Sequence, residues 1–196
     1  MAQFNGYVLI PHNTYLAWKN ATVGNGYDAD GVWGDQCWDY TAEFWHNVGF
    51  PINYPLTGPS SYAYECWTVN RDNNISYGGT NYFNLIYNLS EVKQGDIVVL
   101  GPTATNDAGH ITFADEDYNG TTTLRCVGQN QGGGTPYPPG GTTVSVNNLV
   151  LTANVSGAFL GAFRYNAWHE PGPTPTTRKR KKFPWVLYAR KLRNKY

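Results

Sequence analysis

Within Asp28-Ala-Asp-Gly-Val-Trp-Gly-Asp-Gln-Cys-Trp-Asp39, acids that offer hard oxygen ligands stand on both sides of a cysteine. From Cys37 onward, bulky apolar groups recur at Cys37, Tyr40/Thr41, Phe44/Trp45 and Val48, the spacing of a helix with one buried face. A thiol in the first turn of that helix lies near unpaired N–H groups and the positive end of the helix dipole. Both favour thiolate over thiol. That setting suits a nucleophile. The alternative is a small apolar core residue, which is what most free cysteines are.

The elements that must position a partner lie further on. Gln94-Gly-Asp-Ile-Val-Val-Leu100 is a turn followed by a β-branched run, which predicts a strand. After a polar, glycine-containing loop, Gly109-His-Ile-Thr-Phe-Ala114 predicts a second strand with His110 at its start. Asn119-Gly120 is a hairpin signal leading into Thr121-Thr-Thr-Leu-Arg-Cys-Val127, and that third strand runs out through Gly128-Gln-Asn-Gln-Gly132. The predicted order is therefore a helix bearing Cys37, then an antiparallel meander bearing His110 and, one strand later, Asn130. A Cys–His pair with a third polar group orienting the imidazole is the logic of cysteine acyl transfer. A histidine alone at a strand end is otherwise structural or solvent-exposed.

Gly34-Asp-Gln-Cys-Trp-Asp39, Gly95-Asp-Ile-Val-Val99, Gly109-His110 and Gln129-Asn130 together resemble the CHAP domain, the cysteine/histidine-dependent amidohydrolase/peptidase. The resemblance covers roughly residues 5–166. It implies an α+β fold of the papain-like/NlpC-like group, with N-terminal helices packed on an antiparallel β-sheet. It also implies cleavage of an amide bond in bacterial peptidoglycan, as an N-acetylmuramoyl-L-alanine amidase or a peptide endopeptidase. Such domains are common in bacteriophage lysins and bacterial autolysins. Carried over residue by residue, Cys37 is the nucleophile, His110 the general base, and Asn130 the group that orients the histidine. Backbone N–H at Cys37, with the Gln36 side chain, would hold the oxyanion. Several phage members place a Glu where this chain has Gly128, so that carboxylate is missing. Asp115, Glu116 and Asp117 follow His110 within a few positions, and their place toward a hairpin turn predicts that they are solvated.

Asp28-x-Asp30-Gly31 resembles the start of an EF-hand loop, but the closing bidentate Glu is absent. Some phage CHAP domains carry a shortened version built from two acids, backbone carbonyls and an acid just past the cysteine. Asp28, Asp30 and Asp39 match it, with the carbonyls of Val32 and Gly34 as further ligands. The resemblance thus implies a structural calcium ion, while the hydrolysis itself needs no metal. The alternative is an Asp-Gly turn capping the helix, with Asp39 on the helix dipole.

The chain has 196 residues, enough for one domain with a substantial core. Seven Trp, fifteen Tyr and eight Phe suit a groove for sugars and peptides as well as a β-rich core. Three cysteines make no disulfide framework, and Cys66 and Cys126 are read as reduced. The net charge of zero conceals a partition. Residues 1–177 hold fourteen acids and five basic residues, a balance of −9, and residues 178–196 hold nine basic residues and no acid. The predicted layout is a catalytic domain over 1–168, a proline-rich linker over 169–177 and a basic, aromatic tail over 178–196. Anionic wall polymers, a membrane surface, nucleic acid or a virion protein are physically possible partners of the tail; wall or virion attachment fits the hydrolase best. No dedicated nucleic-acid motif is present. The first ten residues lack the basic and apolar regions of a signal peptide, and no stretch has the length of a transmembrane helix. A wall hydrolase of this kind is expected to be phage-encoded, released at lysis or carried on the particle. The rival expectation is a calcium-dependent wall-binding or virion structural module without turnover. His12, His46 and His169 carry no motif, with His46 expected at the helix surface. Gly132–Gly141 is expected to be a loop, either bordering the cleft or plain surface.

Overall fold

The structure, a computed structural model, describes residues 10–32, 34–131 and 140–169. The expectations for the linker beyond His169, the basic tail, the first nine residues and most of the 132–141 loop lie outside these. In chain order the elements are α1 (Tyr15–Thr22), β1 (Gly34–Asp35), α2 (Cys37–Asn47), α3 (Glu65–Thr68), β2 (Ser76–Tyr77), β3 (Thr80–Asn81), β4 (Phe83–Ile86), β5 (Ile97–Leu100), β6 (His110–Ala114), β7 (Thr123–Gly128), β8 (Gly140–Gly141), β9 (Ser145–Val150), β10 (Phe159–Tyr165) and α4 (Asn166–His169).

Six strands form one antiparallel sheet in the order β4-β10-β5-β6-β7-β9. The predicted meander is its centre, β5-β6-β7. Two short ribbons accompany it, β1 with β8 in parallel and β2 with β3 antiparallel. Helix α2 lies across β6 and β7. Among the described residues, no helix is long and apolar enough to cross a membrane.

The sheet has two covered faces, which explains why Ile97-Val-Val-Leu100 is apolar without alternation. Ile97 and Val99 join Ile111, Phe113, Val127 and Phe163 on the side of α2. Val98 and Leu100 join Ala114, Leu124, Cys126, Leu149 and Ala162 on the other. The helical stripe behaves as its spacing predicts. Cys37, Tyr40, Thr41, Phe44 and Trp45 are all buried, as is Val48 just past the helix end. Phe44 meets Trp18 and Phe113 edge-on with ring centroids 5.0 Å and 5.3 Å away, so α1, α2 and β6 share one aromatic cluster. Burying a side chain of this size is worth about 1.5–3 kcal/mol, and that cluster holds α2 against the sheet.

Two buried acids tie the layers together. Asp115 is only 6% exposed, which corrects the expectation that it is solvated. It accepts from Lys19 Nζ at 2.6 Å and from the Tyr15 hydroxyl at 2.9 Å, and it pairs with Arg125 Nε at 2.9 Å. Its place beyond β6 turns it inward beneath α1, where cations offset the burial. Asp117 is exposed as expected and binds Lys93. Asp96 takes the Arg164 guanidinium on both oxygens, at 2.9 Å and 2.7 Å, locking the start of β5 to β10. All three cysteines are free and buried.

Candidate active site

Cys37 is the first residue of α2, and Gln36 is its N-cap. The carboxylate of Asp39 reaches back to accept the Gln36 N–H at 2.9 Å, a bond that fixes the helix start. His110 opens β6 immediately after Gly109. That glycine has φ of 66°, and a Cβ there would stand 2.6 Å from the Leu100 carbonyl oxygen, so both conformation and space require glycine. The backbone N–H of Ile111 is directed at the Cys37 sulfur. The nucleophile candidate therefore sits against the first residues of the strand that carries His110.

Both groups are buried, Cys37 at 6% exposure and His110 at 7%. Burial pushes the Cys37 thiol up to about 11, with Asp39 adding to the rise. The N–H groups of Ile111, Trp38 and Cys37 itself act in the opposite direction. Burial pushes His110 down to about 4. Both shifts favour the neutral forms, thiol at Cys37 and imidazole at His110. The helix-end donors that the sequence led us to expect are present, but loss of solvent outweighs them.

Asn130 adopts φ of 53°, a left-handed conformation that asparagine tolerates better than most residues. Its backbone N–H donates to Thr142 Oγ1 at 2.7 Å, and its side-chain Nδ2 donates to Gln36 Oε1 at 2.6 Å. The structure thus joins two of the expected site residues, Asn130 and Gln36. It gives Asn130 no bond to His110, whose Nε2 is buried without a hydrogen-bond partner among the described residues. Gln129, whose place in the Gln129-Asn130 motif implies no role by itself, has a structural one. It is fully buried and clamps Tyr27 by both backbone groups, Oε1 accepting from N–H at 3.2 Å and Nε2 donating to the carbonyl at 2.9 Å. Only the folded chain brings Tyr27 to it, so no local signal marks the contact. His12 and His46 cap nearby carbonyls, of Ile10 and Phe50, and His46 is half-buried rather than a plain surface residue.

The acids before the cysteine converge. Each of Asp28, Asp30 and Asp39 offers a carboxylate oxygen within 4.8 Å of the others. Asp39 is 1% exposed, and its Oδ1 accepts from the N–H groups of Ala29 and Asp30 at 2.9 Å and 3.3 Å. Asp30 in turn accepts the Val32 N–H at 2.8 Å. Burial, with Asp30 nearby, pushes Asp39 up to about 8 despite those donors. Burial and the neighbouring Asp28 also raise Asp35, a fourth acid that the sequence did not single out. Oδ1 of Asp28 is buried with no hydrogen-bond partner among the described residues. A set of hard carboxylate oxygens that repel one another, one of them unsatisfied, fits a bound calcium ion. The helix-capping role weighed as the alternative is present too, carried by Asp39.

No family model matches the chain. Over 122 residues it is 34% identical to the D-alanyl-L-alanine endopeptidase of Streptococcus phage B30, a stretch that makes up 61% of this chain and 25% of that protein. The chain thus spans about a quarter of the length of the curated relative it matches. Among solved structures, the wild-type endolysin LysIME-EF1 superposes with a TM-score of 0.55 at 21% identity, covering 80% of this chain and 64% of the endolysin. The two share a fold, the α+β arrangement of helices on an antiparallel sheet that the sequence predicts.

Proposed function

We propose that this chain is a phage-encoded peptidoglycan hydrolase of the CHAP type, cutting an amide bond of the bacterial wall through Cys37 and His110. The observation that carries the reading is the juxtaposition of a buried cysteine at a helix start with the first residues of the His110 strand. Sequence similarity to a phage endopeptidase and an endolysin-like fold support it. That relative's being a D-alanyl-L-alanine endopeptidase favours a peptide bond over the amide that joins the peptide to the sugar.

In this reading the neutral pair reacts in concert with substrate. His110 takes the thiol proton as sulfur attacks the amide carbon, and the carbonyl electrons move onto oxygen. The Cys37 N–H and the Gln36 side chain stabilise that oxyanion, and Asn130 braces Gln36 from behind. Collapse expels the amine, which takes the proton from His110 and leaves a thioester on Cys37. Water, deprotonated by His110, then releases the acid and restores the thiol. Starting from neutral partners avoids stabilising an ion pair in a dry site, since charge develops only as the oxyanion donors engage.

A structural calcium ion belongs to the same reading. Asp28, Asp30 and Asp39, with carbonyls of Val32 and Gly34, would hold it, and it would supply the positive charge that three adjacent carboxylates lack. Its effect on chemistry is indirect, through the loop that leads into Cys37. Within this reading the basic segment 178–196 attaches the domain to anionic wall polymers or to the particle.

Product analysis tests the bond class. Digestion of purified Gram-positive walls should release new amino groups, detected by dinitrophenylation, without new reducing ends. Reducing ends without amines would mean glycosidic cleavage and would exclude the Cys37 mechanism.

A further inference from the structure

Three buried polar atoms without a hydrogen-bond partner among the described residues belong to residues at the start of β6 and just past the end of β7: Nε2 of His110, Oδ1 of Asn130 and Oε1 of Gln131. Buried polar atoms are rarely left unpaired. The set is complementary, because an imidazole nitrogen can donate whereas the two amide oxygens only accept.

The strand register selects between the acceptors. Phe113 stands opposite Val127 and Ala114 opposite Cys126, so the next pair sets Thr112 opposite Gly128. His110 stands two residues before Thr112, at the first position of β6. Gln131 follows the end of β7, and its side chain folds back to β6, where Nε2 donates to Thr112 Oγ1 at 2.9 Å. Its carbonyl oxygen accepts from Asn147 Nδ2 at 2.7 Å, which anchors the backbone, and the residue is 6% exposed. Gly128 makes the room. A Cβ there would lie 2.5 Å from Gln131 Nε2 and 2.7 Å from Thr112 Oγ1. The Gln131 amide therefore fills the space that a side chain at position 128 would take. Its nitrogen is committed to Thr112, which leaves Oε1 as the open acceptor. Asn130, by contrast, is drawn by its bond to Gln36 toward the start of α2.

We propose that Gln131 is the positioning residue for His110, its Oε1 accepting the imidazole Nε2–H so that Nδ1 is left as the base. The proposal rests on the Cys37–His110 hydrolase reading. Both atoms are buried and without a hydrogen-bond partner among the described residues, and pairing them would satisfy both. The missing carboxylate at position 128 is replaced by a neutral acceptor delivered from three residues further on. A neutral partner fixes the tautomer without adding charge to a buried site.

The test uses the full chain with 15N-labelled histidine. In the wild type, His110 should carry its proton on Nε2, protected from exchange, and that protection should disappear in Gln131→Ala. On purified walls, Gln131→Ala should lower kcat by about ten- to a hundred-fold with KM within about twofold, and Gln131→Glu, which keeps an acceptor, should recover most of the rate. Gly128→Ala, which displaces the amide, should resemble Gln131→Ala. Finding the wild-type proton on Nδ1, or a Gln131→Ala kcat within twofold of wild type, would overturn the proposal. A wild type that releases no amines from walls would defeat the hydrolase reading instead, and the tautomer would still decide whether Gln131 pairs with His110.

Discussion

His110 begins its strand in a place where an imidazole cannot easily carry charge, and that has a consequence for stability against pH. Its folded value is held down at about 4 by burial, below the ordinary 6.5. Between those values an unfolded chain binds a proton that the folded one does not. Stability should therefore fall as pH drops from about 6.5 toward 4 and be indifferent to this group above that window. Thermal or urea denaturation of wild type and His110→Gln should show it. The wild type's advantage should shrink on acidification by on the order of 1.4 kcal/mol per pH unit. A constant gap across the window would mean that the imidazole is solvated. The residue types of this site were legible in the sequence, since Cys37 and His110 stand at element starts marked by periodicity and by glycine. Their ionisation was not, because solvent exclusion belongs to the packed molecule. The partner of Asn130 was hidden for the same reason, as Gln36 lies ninety-four positions away.

At the scale of elements, α2 and the β5-β6-β7 meander were readable because their signals are local: a helical stripe, β-branched runs, an Asn-Gly turn. Strands β4, β9 and β10 were not, since β10 comes from the end of the domain and inserts between β4 and β5. The loop before α2 was read from its acids. The structure adds that Asp39 serves two tasks, pinning the loop backbone and contributing to the acid cluster. Since burial and Asp30 hold Asp39 up to about 8, a cation must displace a proton there, so calcium should bind more tightly at pH 8 than at pH 6. Differential scanning calorimetry should show a melting temperature raised by millimolar calcium, more at pH 8, with the rise lost in Asp28→Asn. Equal melting with calcium and with chelator would remove the metal from the account and leave the loop held by Asp39 alone.

Across the whole molecule, charge is partitioned as the sequence states, an acidic body followed by a basic terminal segment. Aromatic packing between α1, α2 and the sheet holds α2 in place, and buried Asp115 and Asp96 lock the strands on which that packing depends. Cys37 is therefore held in register with the His110 strand by the core itself. The most direct measurement is the loss of turbidity of purified Gram-positive walls with wild type and Cys37→Ala, each checked for folding by circular dichroism. Clearing by the wild type and none by a folded Cys37→Ala is the predicted result. Equal clearing by both would contradict the thiol mechanism, and binding of both without clearing would make the domain a wall-binding module.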